Sequence, residues 1–71
     1  METVKIDTEF IRLDDLLKIT GIAATGGQAK IMIQSGLILV NGEVCPMRGK
    51  KLRDGDTVTV PHEKREIRIA Y

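Results

Sequence analysis

The chain has 71 residues, with one Phe, one Tyr, no Trp and a formal net charge of +1. A chain this short buries only about 60% of its unfolded surface, so it holds one domain, over residues 1–71, with a small aliphatic core. Cys45 is the only cysteine, which excludes an intramolecular disulfide or a cysteine zinc site and fits a reducing compartment. The start Met1-Glu2-Thr3-Val4-Lys5 lacks the pattern of a signal peptide. No apolar run approaches the roughly 20 residues of a membrane span, so a cytoplasmic protein without membrane contact is expected.

Thr3 to Asp7 alternates polar and apolar residues and predicts a first strand. Leu13, Leu16 and Leu17 then fall at i, i+3 and i+4, which predicts an amphipathic helix over about residues 11–20. Asp14, Asp15 and Lys18 are turned outward in this reading, and Gly21 stops the helix. Thr25-Gly26-Gly27-Gln28 matches a capping box, with the Thr25 hydroxyl accepting from the Gln28 N–H and the Gln28 side chain reaching back to the Thr25 N–H. A second helix follows over about residues 26–35, with Ala29, Met32 and Ile33 on one face and Gly36 as its left-handed exit. Two glycines in a first helical turn are poor helix formers, at up to about 1 kcal/mol each relative to Ala, so another constraint keeps them.

Leu37 to Val40 predicts a short strand, Asn41-Gly42 a hairpin turn, and Glu43 to Cys45 the returning strand, ended by Pro46. Residues 46–53 read as an exposed basic loop, Asp54-Gly55-Asp56 as a tight turn, and Thr57 to Val60 as an alternating strand. Ile67 and Ile69, alternating with Arg68 and Ala70, mark a last strand. The expected order is β-α-α-β-β-β-β, an α+β domain in which a helix-loop-helix packs on a small, mostly antiparallel sheet.

Charge is segregated along the chain. Residues 1–15 carry two basic against five acidic side chains, a net of −3, and residues 16–71 carry nine against five, a net of +4. The densest basic run is Arg48-Gly49-Lys50-Lys51-Leu52-Arg53, enough to create a local positive field on a nearly neutral chain.

Arg12-Leu13-Asp14, Leu17, Thr25 to Lys30, Ile33, Gly36, Val40-Asn41-Gly42 and Gly55-Asp56, in this order and spacing, resemble the S-four RNA-binding domain, the family named after ribosomal small-subunit protein four. The resemblance covers about residues 10–60. Many members carry Ser-Arg where this chain has Thr25-Gly26, with the Arg facing RNA. Gly26-Gly27 followed by Ala29-Lys30, with the later Arg48-Gly49-Lys50-Lys51-Leu52, resembles instead the small stand-alone bacterial branch of YaaA/YbcJ type. The resemblance implies a helix pair on a small sheet (the alpha-L motif), an Arg-Leu-Asp start with a structural role, binding of structured RNA, and frequent association with ribosomes.

The residues themselves suggest how RNA would be held. The N–H groups of Gly26, Gly27 and Gln28 at the start of the second helix form a phosphate seat, favoured by the helix dipole and by the absence of side chains. Thr25 caps that turn, Lys30 adds a charge, and Arg48, Lys50, Lys51 and Arg53 complete a groove if the basic loop lies beside the helix start. Lys18 and Gln34 are peripheral candidates. So few aromatics argue against reading single-stranded bases by stacking, and for recognition of a folded RNA by its phosphates.

Catalysis is not expected. Asp14 and Asp15 are adjacent on a helix and do not converge on one atom, His62 has no second histidine with which to share a metal, and no nucleophile elbow or Walker loop occurs. The reading needs no cofactor and no metal. Three other functions compete with it: a ribosome-associated protein adaptor with little RNA affinity, an accessory acting in trans with an RNA-modifying enzyme or synthetase, and a DNA-binding helix-turn-helix. The last is weak, since its second helix offers only Gln28, Lys30 and Gln34 to base edges.

Overall fold

A computed structural model describes all 71 residues. The strands are β1 (Glu2–Lys5), β2 (Ile11–Arg12), β3 (Leu39–Val40), β4 (Glu43–Val44), β5 (Lys51–Leu52), β6 (Thr57–Val60) and β7 (Arg65–Ala70); the helices are α1 (Leu13–Ile19) and α2 (Gly26–Gln34). Five strands form one sheet in the order β1-β7-β6-β3-β4, antiparallel except where β1 runs parallel to β7, and β2 and β5 form a separate two-stranded ribbon.

The α+β class is as expected, with two short strands and a 3₁₀ turn (Pro61–Glu63) added. The first helix begins at Leu13, not residue 11, because Ile11 and Arg12 are extended and paired with Leu52 and Lys51. The basic segment 46–53 is therefore not all loop. Its Leu52 is fully buried, which anchors the segment to the core while its cations stay outside.

The core forms where the two periodicities meet. α1 contributes Leu13, Leu16 and Leu17, α2 contributes Ala29 and Ile33, and the sheet contributes Val58, Val60, Ile67 and Ile69 from alternate positions of β6 and β7. Each fully buried aliphatic side chain of this kind stabilises the fold by about 1.5–3 kcal/mol, before the entropy of ordering it is counted. Arg65 fastens the edge: its Nε donates to Glu2 Oε2 at 2.8 Å and its Nη1 to the Thr20 carbonyl at 3.2 Å, joining β7, β1 and the end of α1.

The hairpin turn is as predicted. Asn41 and Gly42 both take positive φ, 51° and 87°, the pair of values that matches the twist of the flanking strands and that Asn-Gly tolerates best. The Asn41 side chain then accepts from the Thr57 N–H at 2.9 Å and donates to Asp56 at 3.1 Å, locking β3–β4 to the turn before β6.

The cap of α2 is formed as expected on one side and differently on the other. Thr25 Oγ1 accepts from the Gln28 N–H at 3.1 Å, but Gln28 Oε1 accepts from the Ala24 N–H at 2.6 Å, one residue before the expected donor. Thr25 itself is extended (ψ 165°), as an N-cap residue ordinarily is. Thr25→Ala is expected to lower stability by about 1 kcal/mol, read as a urea midpoint shift at unchanged m-value.

Candidate nucleic-acid interface

The basic segment reaches the helices through its backbone. Residues 47–50 make a turn closed by the Lys50 N–H donating to the Met47 carbonyl at 3.1 Å. Its outer carbonyls then cap α1: Lys50 O accepts from the Leu13 N–H at 2.9 Å and Arg48 O from the Asp14 N–H at 3.1 Å. Arg12 offers no side-chain cap, so these two carbonyls satisfy donors that the first turn of any helix leaves open.

Asp14 is not turned outward. It is buried, its side chain only 6% exposed, and it is shared by two arginines. Arg12 meets it bidentately, Nε to Oδ1 at 3.2 Å and Nη2 to Oδ2 at 3.1 Å, and Arg48 Nε meets Oδ2 at 3.1 Å. The contact that buries Asp14 comes from 34 residues further along the chain, where helical periodicity has no reach. Burial by itself would raise the Asp14 pKa. The Arg48 hydrogen bond, the Arg12 charge, the Asp15 N–H and the Arg12 hydrogen bond outweigh it and hold the carboxyl below 3.8.

One carboxylate between two guanidiniums leaves a net positive centre. A guanidinium carries five N–H donors, so Arg12 keeps about three and Arg48 about four after binding Asp14. Both side chains remain nearly half exposed, 47% and 42%, and can take a second anion. Arg48 Nη2 lies 3.9 Å from where a Cβ on Gly26 would stand, and Arg12 Nη2 lies 3.6 Å from the same point on Gly49. The Arg48 side chain therefore reaches from the basic turn to the start of α2. There the Gly26 and Gly27 N–H groups donate to no protein acceptor, and the helix dipole adds partial positive charge.

Of the residues singled out by sequence, Thr25, Gly26, Gly27, Gln28 and Arg48 are brought together here. Gln28 contributes less than expected, because its backbone N–H and its side-chain oxygen are both spent on the cap. Lys30 is exposed on α2 and forms no ion pair. Lys50 borders the β3–β4 hairpin, beside Val44 and Met47. Lys51 and Arg53 project from β5 and the residue after it, against Phe10. Arg12, read as structural, also faces this surface. Its place here depends on the pairing of Ile11 and Arg12 with Leu52 and Lys51, for which two-residue strands give no usable local signal.

The fold and this surface define a small helix-on-sheet domain with half-exposed guanidiniums gathered near the start of α2. Residues 4–69 match the model of the S4 domain, the S-four family of the sequence resemblance, and the chain belongs to that family. It is 40% identical, over 80% of its own length and 80% of the relative's, to the "Probable ribosome maturation protein RlbA" of Bacillus subtilis. It is 32% identical, over 83% of its length, to the small ribosomal subunit protein uS4 of Cupriavidus necator, and 31% identical, over 82%, to that of Nitratidesulfovibrio vulgaris. The chain spans under a third of those two proteins, 29% and 28%. No helix of the chain is long and apolar enough to cross a membrane.

Proposed function

We propose that this chain is a non-catalytic protein that binds structured RNA through its phosphates, and that its target is RNA of the ribosome or of its precursors. The observation that carries the reading is the position of Arg48. Its unspent donors lie beside Gly26, so a guanidinium and two free backbone N–H groups converge where one phosphate would sit. Membership of the S4 domain family, and relatives named for ribosome maturation and for the small ribosomal subunit, support the choice of RNA and of ribosome.

Binding of this kind depends on salt. Four phosphate contacts give a slope of about −3 in log affinity against log salt, so a fourfold rise in salt weakens binding roughly fiftyfold. Fluorescence anisotropy with a structured RNA hairpin and a matched DNA duplex, at two salt concentrations, measures this directly. The Lys50→Glu/Lys51→Glu variant is expected to lose binding while keeping its fold, since both side chains are exposed. Equal affinity for DNA, or a variant that binds as well as wild type, would turn the reading toward a protein-binding adaptor.

A further inference from the structure

The only phenylalanine of the chain stands outside its core. Phe10 is half-buried just before β2 and takes no place among the 15 buried apolar side chains. Two cations lie against its ring instead, Lys51 Nζ at 4.9 Å and Arg53 Cζ at 5.7 Å from the centroid. Both fall within the roughly 6 Å over which a cation is drawn to an aromatic face.

The register of the ribbon explains the grouping. Ile11 pairs with Leu52 and Arg12 with Lys51, and successive side chains on a strand point to opposite faces. Ile11 and Leu52 turn to the core, so Arg12 and Lys51 share the outer face. Phe10 and Arg53, two residues from Arg12 and Lys51 along their chains, continue it. Glu9 and Asp54 border the same shallow hollow as Arg53, yet Arg53 pairs with neither acid. Asp14 holds its arginines at the cost of part of their charge. The ring of Phe10 holds Lys51 and Arg53 and neutralises nothing.

We infer that Phe10 is a positioning residue: it holds Lys51 and Arg53 over its ring, so that the outer face of β2–β5 forms a track for successive phosphates of one RNA strand leading away from the seat at α2. The inference rests on the RNA reading above. Residues two apart on a strand stand about 6.6 Å apart, comparable with the spacing of successive phosphates on a nucleic-acid strand. Both cations lie against the ring that a stacked base would need.

The test uses the full chain and the same RNA hairpin over a salt series, with wild type, Phe10→Leu, Phe10→Tyr, Lys51→Ala/Arg53→Ala and the triple variant containing Phe10→Leu. Gly26→Asp runs alongside as the probe of the seat. Phe10→Leu keeps apolar bulk, and its affinity is expected to fall roughly fivefold, the size of one exposed cation–π contact. Its salt slope becomes shallower by about 0.7 for each phosphate no longer engaged. Removing Lys51 and Arg53 then matters less in the Phe10→Leu background than in wild type, and Phe10→Tyr restores both quantities. In the free protein, the Lys51 ε-CH₂ protons show an upfield ring-current shift that Phe10→Leu abolishes.

Weaker binding at an unchanged slope, or losses that simply add, would mean that the ring stacks a base or only packs, and would overturn the inference while leaving the seat intact. Salt-insensitive binding by wild type, or full binding by Gly26→Asp, would remove the RNA reading itself and this inference with it.

Discussion

Gly26→Asp is expected to weaken RNA binding more than about a hundredfold, because a fixed carboxylate facing a phosphate is a like-charge contact costing several kcal/mol. Its melting temperature should stay at or slightly above that of wild type. A Cβ at Gly26 meets nothing closer than Arg48 Nη2 at 3.9 Å, an ordinary contact, and the residue is not in the left-handed region, so the substitution fits. An aspartate in a first helical turn also stabilises the helix, by about 0.3–1 kcal/mol through the dipole. The new carboxylate would pair with Arg48 and occupy the seat from within the protein. Gly26→Ala separates bulk from charge: if the loss comes from charge, alanine retains most of the binding. Anisotropy titrations of both variants beside a thermal melt decide the matter, and affinity for Gly26→Asp within threefold of wild type would sink the phosphate seat.

Asp14→Asn should show the opposite pattern, a large loss of stability with a smaller loss of binding. The carboxylate accepts charged hydrogen bonds from two arginines, each worth about 1.5–3 kcal/mol when fully formed. Both guanidiniums are nearly half exposed and can return to water, so the net cost is closer to about 2 kcal/mol. In a domain of this size that is near 10 °C in melting temperature. The backbone bonds from Leu13 and Asp14 to the 47–50 turn survive the substitution, so affinity should fall less than about tenfold at a temperature where the variant is folded.

The acid side of the profile gives a further check on the same variant. The Asp14 pKa is depressed on folding, so its contribution is fully present above the unfolded value near 3.8 and is lost as pH falls through the lower folded value. Glu2, held low by its hydrogen bond from Arg65, acts in the same direction. Urea midpoints from pH 7 to pH 3 should therefore begin to draw together between wild type and Asp14→Asn below about pH 4, while some acid sensitivity remains in both. Parallel curves across that range would show that Asp14 is not the shared counter-ion.

Much of this architecture was legible because its signals are local. Thr25 and Gln28 set the start of α2, Gly36 its exit, and Asn41-Gly42 the hairpin, each from a few adjacent residues. The β2–β5 ribbon was not, because two-residue strands carry too little alternation to register as a period. Its effect was large all the same: it shortened α1 by two residues and turned part of an expected loop into a strand. The candidate site divides along the same line. Residue types were visible in the basic run and the glycine pair, but the placement of Arg48 against Gly26 depends on Asp14, 34 residues earlier, and on two backbone carbonyls. The acid that organises the positive surface looked like an ordinary solvated helix residue.

The parallel pairing of β1 with β7 has a kinetic side. Glu2 lies opposite Ile67 and Lys5 opposite Ala70, so the earliest strand and the latest one are partners. Closing a loop of some sixty residues costs loop entropy that only the finished contact returns, and contacts this distant in sequence slow folding. The helix pair and the 47–50 turn close over shorter separations and can form before that strand has a neighbour. The helix pair and the basic turn can therefore be assembled before the sheet edge that steadies them.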